Sequence, residues 1–315
     1  MHATLSGWSR FVLRSSDERG FTLAEMMVAM ALMLIVCGAV TSALIQMTGT
    51  QRMIFNRTQM HSGVRGATEL MQQEVGQAGR IALPSAVTIG GSGVTTTGTA
   101  VTATVSSSSG MFVGELLVIG GGSSEETVTV TAVPSATQFT AIFANSHSSG
   151  ESVQALGGFY HGIVPPTVTN GSTASVLKMF GDLNGDGNMV YVEYTCNTGA
   201  GNLYRNSMPW DATTKPSVGV AQILLNNIIA NPSNAACFTY QTSTAGTRVY
   251  VIGVAITLTV QTQQIDSFTK TYQRETKALL NVSPRNIFNV WQLDSAGVTT
   301  RPQPTPPQIT TNLLP

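Results

Sequence analysis

Apolar residues dominate the chain from Phe21 to Met47, and the one charged side chain among them is Glu25, near the start. A helix needs roughly 20 apolar residues to cross a hydrocarbon core, so 21–47 is long enough to span one. The pattern then changes without breaking. Met60, Val64, Ala67, Met71, Val75 and Ala78 recur at helical spacing, with Arg65, Glu69, Glu74 and Arg80 assigned to polar faces. No proline occurs between Phe21 and Leu83, so the pattern predicts one helix over 21–83 that stops at Pro84. Such a helix is about 90 Å long at 1.5 Å per residue. Gly63, Gly66, Gly76 and Gly79 weaken its second half in isolation, so packing on a head must hold it.

Beyond Pro84 the period becomes two. The stretch 84–156 is rich in Thr, Ser and Gly, and "TAVTATV" at 99–105 alternates as a short exposed strand. Within 111–156 the runs ELLVI, ETVTVTAV and QFTAIF are divided by Gly and Ser turns, which predicts a small barrel or sandwich inserted as an all-β module. "GGSG" at 90–93 is turn material. The stretch 157–296 reads as a second β region: "NMVYVEYTC" (188–196), "CFTYQ" (237–241) and "RVYVIGVAITLTVQTQ" (248–263) alternate with one face buried. "GVAQILLNNIIA" (219–230) reads as a short amphipathic helix between them, and a late hairpin ends in "RETKALLNVSPRN" (274–286). Residues 297–315 are Pro-rich and are expected to be disordered. The fold class is α+β: a long N-terminal helix packed on an antiparallel head with an inserted all-β module.

Charge narrows the function classes. Charged residues make up 10% of the 315-residue chain and its formal net charge is zero, which argues against a nucleic-acid surface. Arg10, Arg14 and Arg19 precede the apolar run and hold that end on the cytoplasmic side, sending the head across the membrane. Cys37 lies inside the run, whereas Cys196 and Cys237 lie in the polar region and are expected to form one disulfide, the alternative being two buried thiols. A disulfide places the head in an oxidising compartment.

The sequence "GFTLAE", Gly20 to Glu25, resembles the processing signature of type IV prepilins. The resemblance implies a leader over 1–20, cleavage by a prepilin peptidase between Gly20 and Phe21, and N-methylation of Phe21. It also implies that Glu25 pairs with the N-terminal amine of a neighbouring subunit in a filament core. A lone carboxylate in lipid is costly, and an opposite charge offsets part of that cost. The implied partners are the inner membrane, the peptidase, and other major and minor pilins. The order of helix, sheet and late hairpin resembles the large minor pilins of the PilW kind, which prime assembly or occupy a filament tip. A minor pseudopilin of a type II secretion system would share these features. An adhesin displayed through the module at 111–156 is the binding-protein alternative.

One stretch carries possible metal chemistry. "DLNGDGNMVYVE" (182–193) fits the calcium-loop pattern, with oxygen ligands at Asp182, Asn184, Asp186 and the Asn188 carbonyl, so calcium is the one cofactor indicated. Glu193 stands where a bidentate carboxylate would close the shell. Both flanks read as strands, however, which would carry Glu193 roughly 16 Å beyond Asn188 and out of reach. Asn-Gly and Asp-Gly also favour a hairpin turn with no metal. His2, His61, His147 and His161 are scattered and read as solvated or structural, and Trp210 and Trp291 as sheet anchors. No nucleophile elbow, phosphate loop or Cys–His constellation points to an enzyme.

Overall fold

The computed structural model describes residues 20–315 except 267, with Leu280 described in its backbone only. The leader, apart from Gly20, lies outside the described residues. Helix α1 runs Leu23–Gln77 and belongs to two compact units, one reaching to Ile54 and the other spanning Phe55–Pro315. In the first unit every side chain from Phe21 to Met47 is exposed, as suits a segment whose surroundings are lipid.

In the second unit, Met60, Val64, Ala67, Thr68, Met71, Glu74 and Val75 form the buried face of α1. The helix ends earlier than Pro84. Gly79 takes φ +78°, the left-handed conformation that closes helices, and its N–H donates to Phe180 O at 2.9 Å. A Cβ there would meet Ile287 Cγ1 at 2.6 Å, so Gly79 is also needed for close packing.

Seven strands follow in the module: β1 (Val87–Thr88), β2 (Ala100–Thr104), β3 (Leu116–Ile119), β4 (Glu126–Thr129), β5 (Ala132–Ser135), β6 (Gln138–Ile142) and β7 (Ser152–Ala155). They form two antiparallel sheets, ordered β1-β7-β3-β4 and β2-β6-β5. Ile89, Leu117, Ile119, Phe139, Ala141 and Phe143 form a core between them.

After the short β8 (Gly158–Phe159), the head is built from β9 (Val176–Gly181), β10 (Val190–Asn197), β11 (Asn202–Pro209) and β12 (Gln222–Asn226), in order β12-β11-β10-β9. A second antiparallel sheet comprises β13 (Ile228–Ile229), β14 (Phe238–Ala245), β15 (Arg248–Gln261) and β16 (Arg274–Val282). The buried face of α1 shares one core with both, together with Ile287 and Val290 of α2 (Arg285–Ser295). A disulfide joins Cys196 at the end of β10 to Cys237 beside β14, 41 residues apart, and so ties the two head sheets together.

Three expectations need correction. Residues 219–230 form the strands β12 and β13, not a helix: β12 completes the edge of its sheet against β11, and Asn227 at φ +59° turns the chain into β13. The 297–315 tail is packed, not disordered. Its β17 (Pro302–Gln303) pairs in parallel with β8, and Ile309, Leu313 and Leu314 join a third apolar cluster with Phe112, Phe159 and Phe180. Glu74 lies on the buried face of α1, not a polar one, because Arg205 neutralises it there and the Tyr194 hydroxyl donates to it.

Candidate functional site

Helix α1 begins with a reciprocal cap. The Thr22 N–H and Oγ1 each donate to Glu25 Oε2 at 2.9 Å, and the Glu25 N–H donates to Thr22 Oγ1 at 3.3 Å. This is a capping box: a hydroxyl residue before the helix and a glutamate three residues on satisfy each other's backbone donors. The carboxylate also faces the positive end of the helix dipole. Glu25 therefore has a partner within its own chain. Its signal, Thr22 three residues before Glu25, was present in the sequence within the processing signature. Gly20 and Phe21 lie just ahead, both exposed.

The sequence profile of the prokaryotic N-terminal methylation motif matches residues 15–41, which takes in Gly20, Phe21, Glu25 and the first half of the apolar run. This N-terminal segment is similar to that of type IV prepilin-like proteins. The match is confined to that segment, and none of the curated proteins or solved structures compared matches the chain. The motif supports a pilin-like protein, and the described residues join it to one long apolar helix and an α+β head.

The predicted calcium residues Asp182 and Asp186 lie in the turn between β9 and β10. Asp182 is fully buried, and its Oδ1 and Oδ2 accept the N–H groups of Asp186 and Gly187 at 3.0 and 3.3 Å. The Arg80 guanidinium lies 3.4 Å from Oδ2 and supplies the cation. Asp186 Oδ1 accepts the Asn188 N–H at 2.9 Å, and Gly185 and Gly187 take φ +72° and +85°. The Asp182 carboxylate is thus engaged by two backbone N–H groups and by Arg80. Glu193 lies on β10, where its Oε2 accepts the Tyr191 hydroxyl at 3.0 Å and stands 3.7 Å from Lys178 Nζ and 3.4 Å from Lys215 Nζ. Among the described residues no group of three or more His, Cys, Asp or Glu is placed to hold a metal.

The histidines separate by environment. His61 pairs with Glu275 across α1 and β16. Burial holds the His161 imidazole down to about 4, so it is neutral at ordinary pH. His147 is fully buried in the module with Nε2 2.7 Å from Glu126 and Nδ1 2.7 Å from Glu151. Burial pushes the Glu126 carboxyl up, but the N–H groups of Ala144 and Asn145 and the imidazole of His147 outweigh it and leave a lowered pKa. These are structural roles. The sequence gave no sign of the carboxylate partners of His147, which lie 4 and 21 residues away.

Proposed function

We propose that this chain is a minor pilin of a type IV pilus, made as a prepilin and cut between Gly20 and Phe21 by a prepilin peptidase, with Phe21 then N-methylated. The observation that carries this reading is the methylation motif at the start of an exposed apolar helix. The head favours a minor subunit. Besides the main core it carries a module with a core of its own, a poor design for a subunit repeated along a filament. Before assembly the helix lies in the inner membrane with the head in the periplasm, an oxidising compartment where the Cys196–Cys237 disulfide persists. During assembly the helix packs against those of other pilins, and Glu25 meets a neighbour's N-terminal amine. The separate core of the 84–156 module also supports a second reading, in which it is displayed as an adhesin.

Intact mass, taken from membranes of cells with and without an active prepilin peptidase, tests the first reading. A species beginning at methylated Phe21, seen only with the peptidase, is the expected result. A leader retained in both strains overturns it. Deleting the module separates the second reading: an adhesin keeps its pili and loses attachment.

A further inference from the structure

Within the unit Phe55–Pro315, the hairpin β15–β16 ends in a loop that holds apolar side chains outward. Ile265, Phe268 and Tyr272 are 52%, 56% and 41% exposed. Their presentation is built. Buried Asp266 accepts the Phe268 N–H and the Gln273 Nε2 amide, both at 2.8 Å. The Asp266 N–H donates to Thr271 O at 3.0 Å, and the Lys270 N–H returns to Asp266 O at 2.9 Å. A loop braced in this way keeps its apolar side chains from folding back, so water-exposed surface persists unless something covers it.

Position and charge identify what covers it. Gln261 and Gln263, at the end of β15, line a cleft of about 480 Å³ with Asn56, Gln59 and Gly63 of α1. His61 of the same helical stretch pairs with Glu275 at the start of β16. The hairpin thus leaves the sheet beside the first turns of this unit's helix, where the chain enters from its apolar segment. The exposed ionic side chains there, Arg57, Lys270 and Arg274, are all cationic, while Asp266 is buried and Glu275 is half-buried beside His61. Phe55 adds a further exposed aromatic ring. Aromatic and aliphatic groups ringed by Lys and Arg are the chemistry of an anionic bilayer interface.

We infer that the β15–β16 tip seats in the headgroup region of the anionic membrane that holds the apolar helix, before the subunit enters a filament. This rests on the reading of the chain as a membrane-anchored pilin. The test uses the full chain with Cys37→Ser and Phe268→Cys, labelled at position 268 with a polarity-sensitive fluorophore. It is reconstituted in phosphatidylethanolamine–phosphatidylglycerol vesicles containing lipids with a nitroxide near the headgroup. A label at Ser123→Cys, on the module, serves as the reference. The expected result is emission at 268 shifted to shorter wavelength and quenched by the nitroxide lipid, with the reference unchanged. Lys270→Glu with Arg274→Glu should cause loss of that quenching. Two results overturn the inference while anchoring stands: vesicle-bound protein whose two labels emit alike, or a shift at 268 without lipid quenching, which assigns the tip to another copy. Protein that fails to float with the vesicles removes the anchoring reading itself, and the inference with it.

Discussion

The side chain of Gln303 satisfies both backbone groups of Leu116: its Oε1 accepts the Leu116 N–H at 2.9 Å and its Nε2 donates to Leu116 O at 2.8 Å. The same Nε2 donates to Leu156 O at 2.9 Å, and the residue is fully buried. One carboxamide from the tail thus bridges the start of β3 and the residue that follows β7. At the other end of the tail, Lys178 Nζ donates to Leu314 O at 3.0 Å. Gln303→Ala leaves the buried N–H and C=O of Leu116 without their partner, and each such group costs about 1–3 kcal/mol. The variant should unfold with a midpoint several degrees lower in a thermal melt. Deleting residues 298–315 should cost more, because Ile309, Leu313 and Leu314 leave the core as well. A truncated chain as stable as the full one would show that the tail contributes nothing to the fold.

Next to Leu116, burial pushes the Glu115 carboxyl up to about 8, although the Phe112 N–H donated to its Oε2 opposes the shift. Its other oxygen is buried and has no hydrogen-bond partner among the described residues. A carboxyl group whose folded pKa exceeds its unfolded value binds its proton more tightly in the fold. Its effect on stability is therefore most favourable below pH 4.5 and declines as pH rises toward 8, where it levels off. Glu115→Gln, which keeps shape and removes the charge, should abolish that decline. Melts of the two proteins from pH 4.5 to 9 should diverge across this window, the wild type falling behind by on the order of a few kcal/mol. Parallel curves would mean that Glu115 ionises freely in the fold.

Much of this architecture was legible because each element obeyed its own period. The buried positions of α1 repeat at alternating steps of four and three, and that rhythm passes from Met71 to Glu74 and on to Ala78. Read by spacing alone, Glu74 belongs to the core; read by residue type, it was sent to the surface. Its partners explain the difference, since Arg205 and Tyr194 come from β11 and β10, over 100 residues away. Burial and the neighbouring carboxylate together raise the Tyr194 hydroxyl, which stays a donor. The strand at 222–226 was missed for a related reason. A short apolar run satisfies helical and extended patterns alike, and the free edge of β11 decided between them. In the tail, a Pro-rich composition signalled disorder, yet proline withholds only its own N–H and leaves Gln303 free to bond. At the N-terminus the signature was legible in full. The capping role of Glu25 lay hidden inside it.

Calcium provides a direct test of the 182–188 turn. With Arg80 beside Asp182 and two backbone N–H groups on its carboxylate, the turn is complete without a divalent ion. Adding millimolar calcium or a chelator should leave the thermal midpoint unchanged. Arg80→Met removes the cation from a buried carboxylate and should destabilise the fold by about 1–3 kcal/mol, reduced from a fully buried pair because Arg80 is partly in solvent. If calcium restores the stability of that variant, the loop is a latent metal site that Arg80 closes. If calcium stabilises the wild type itself, the ion displaces Arg80 and the calcium pattern in the sequence is the correct guide.

The cap made by Glu25 and the assembly role proposed for it are separated by one substitution. As a cap it needs an acceptor three residues after Thr22, and glutamine serves that purpose nearly as well as glutamate. As the counter-charge for a neighbour's amine it needs a carboxylate, which glutamine does not supply. Glu25→Gln should therefore keep the backbone amides of the first helical turn protected in hydrogen exchange, with normal membrane insertion, and should lose incorporation into filaments. Thr22→Val should do the reverse: the cap weakens by about 1 kcal/mol while the charge and assembly remain. Glu25→Ala should lose both. Incorporation is read from the subunit content of sheared filaments, and protection from exchange in the membrane-bound precursor. If Glu25→Gln assembles as well as the wild type, the glutamate acts through its cap alone, and the reason for its place at the head of an apolar helix is local: it closes the first turn of α1.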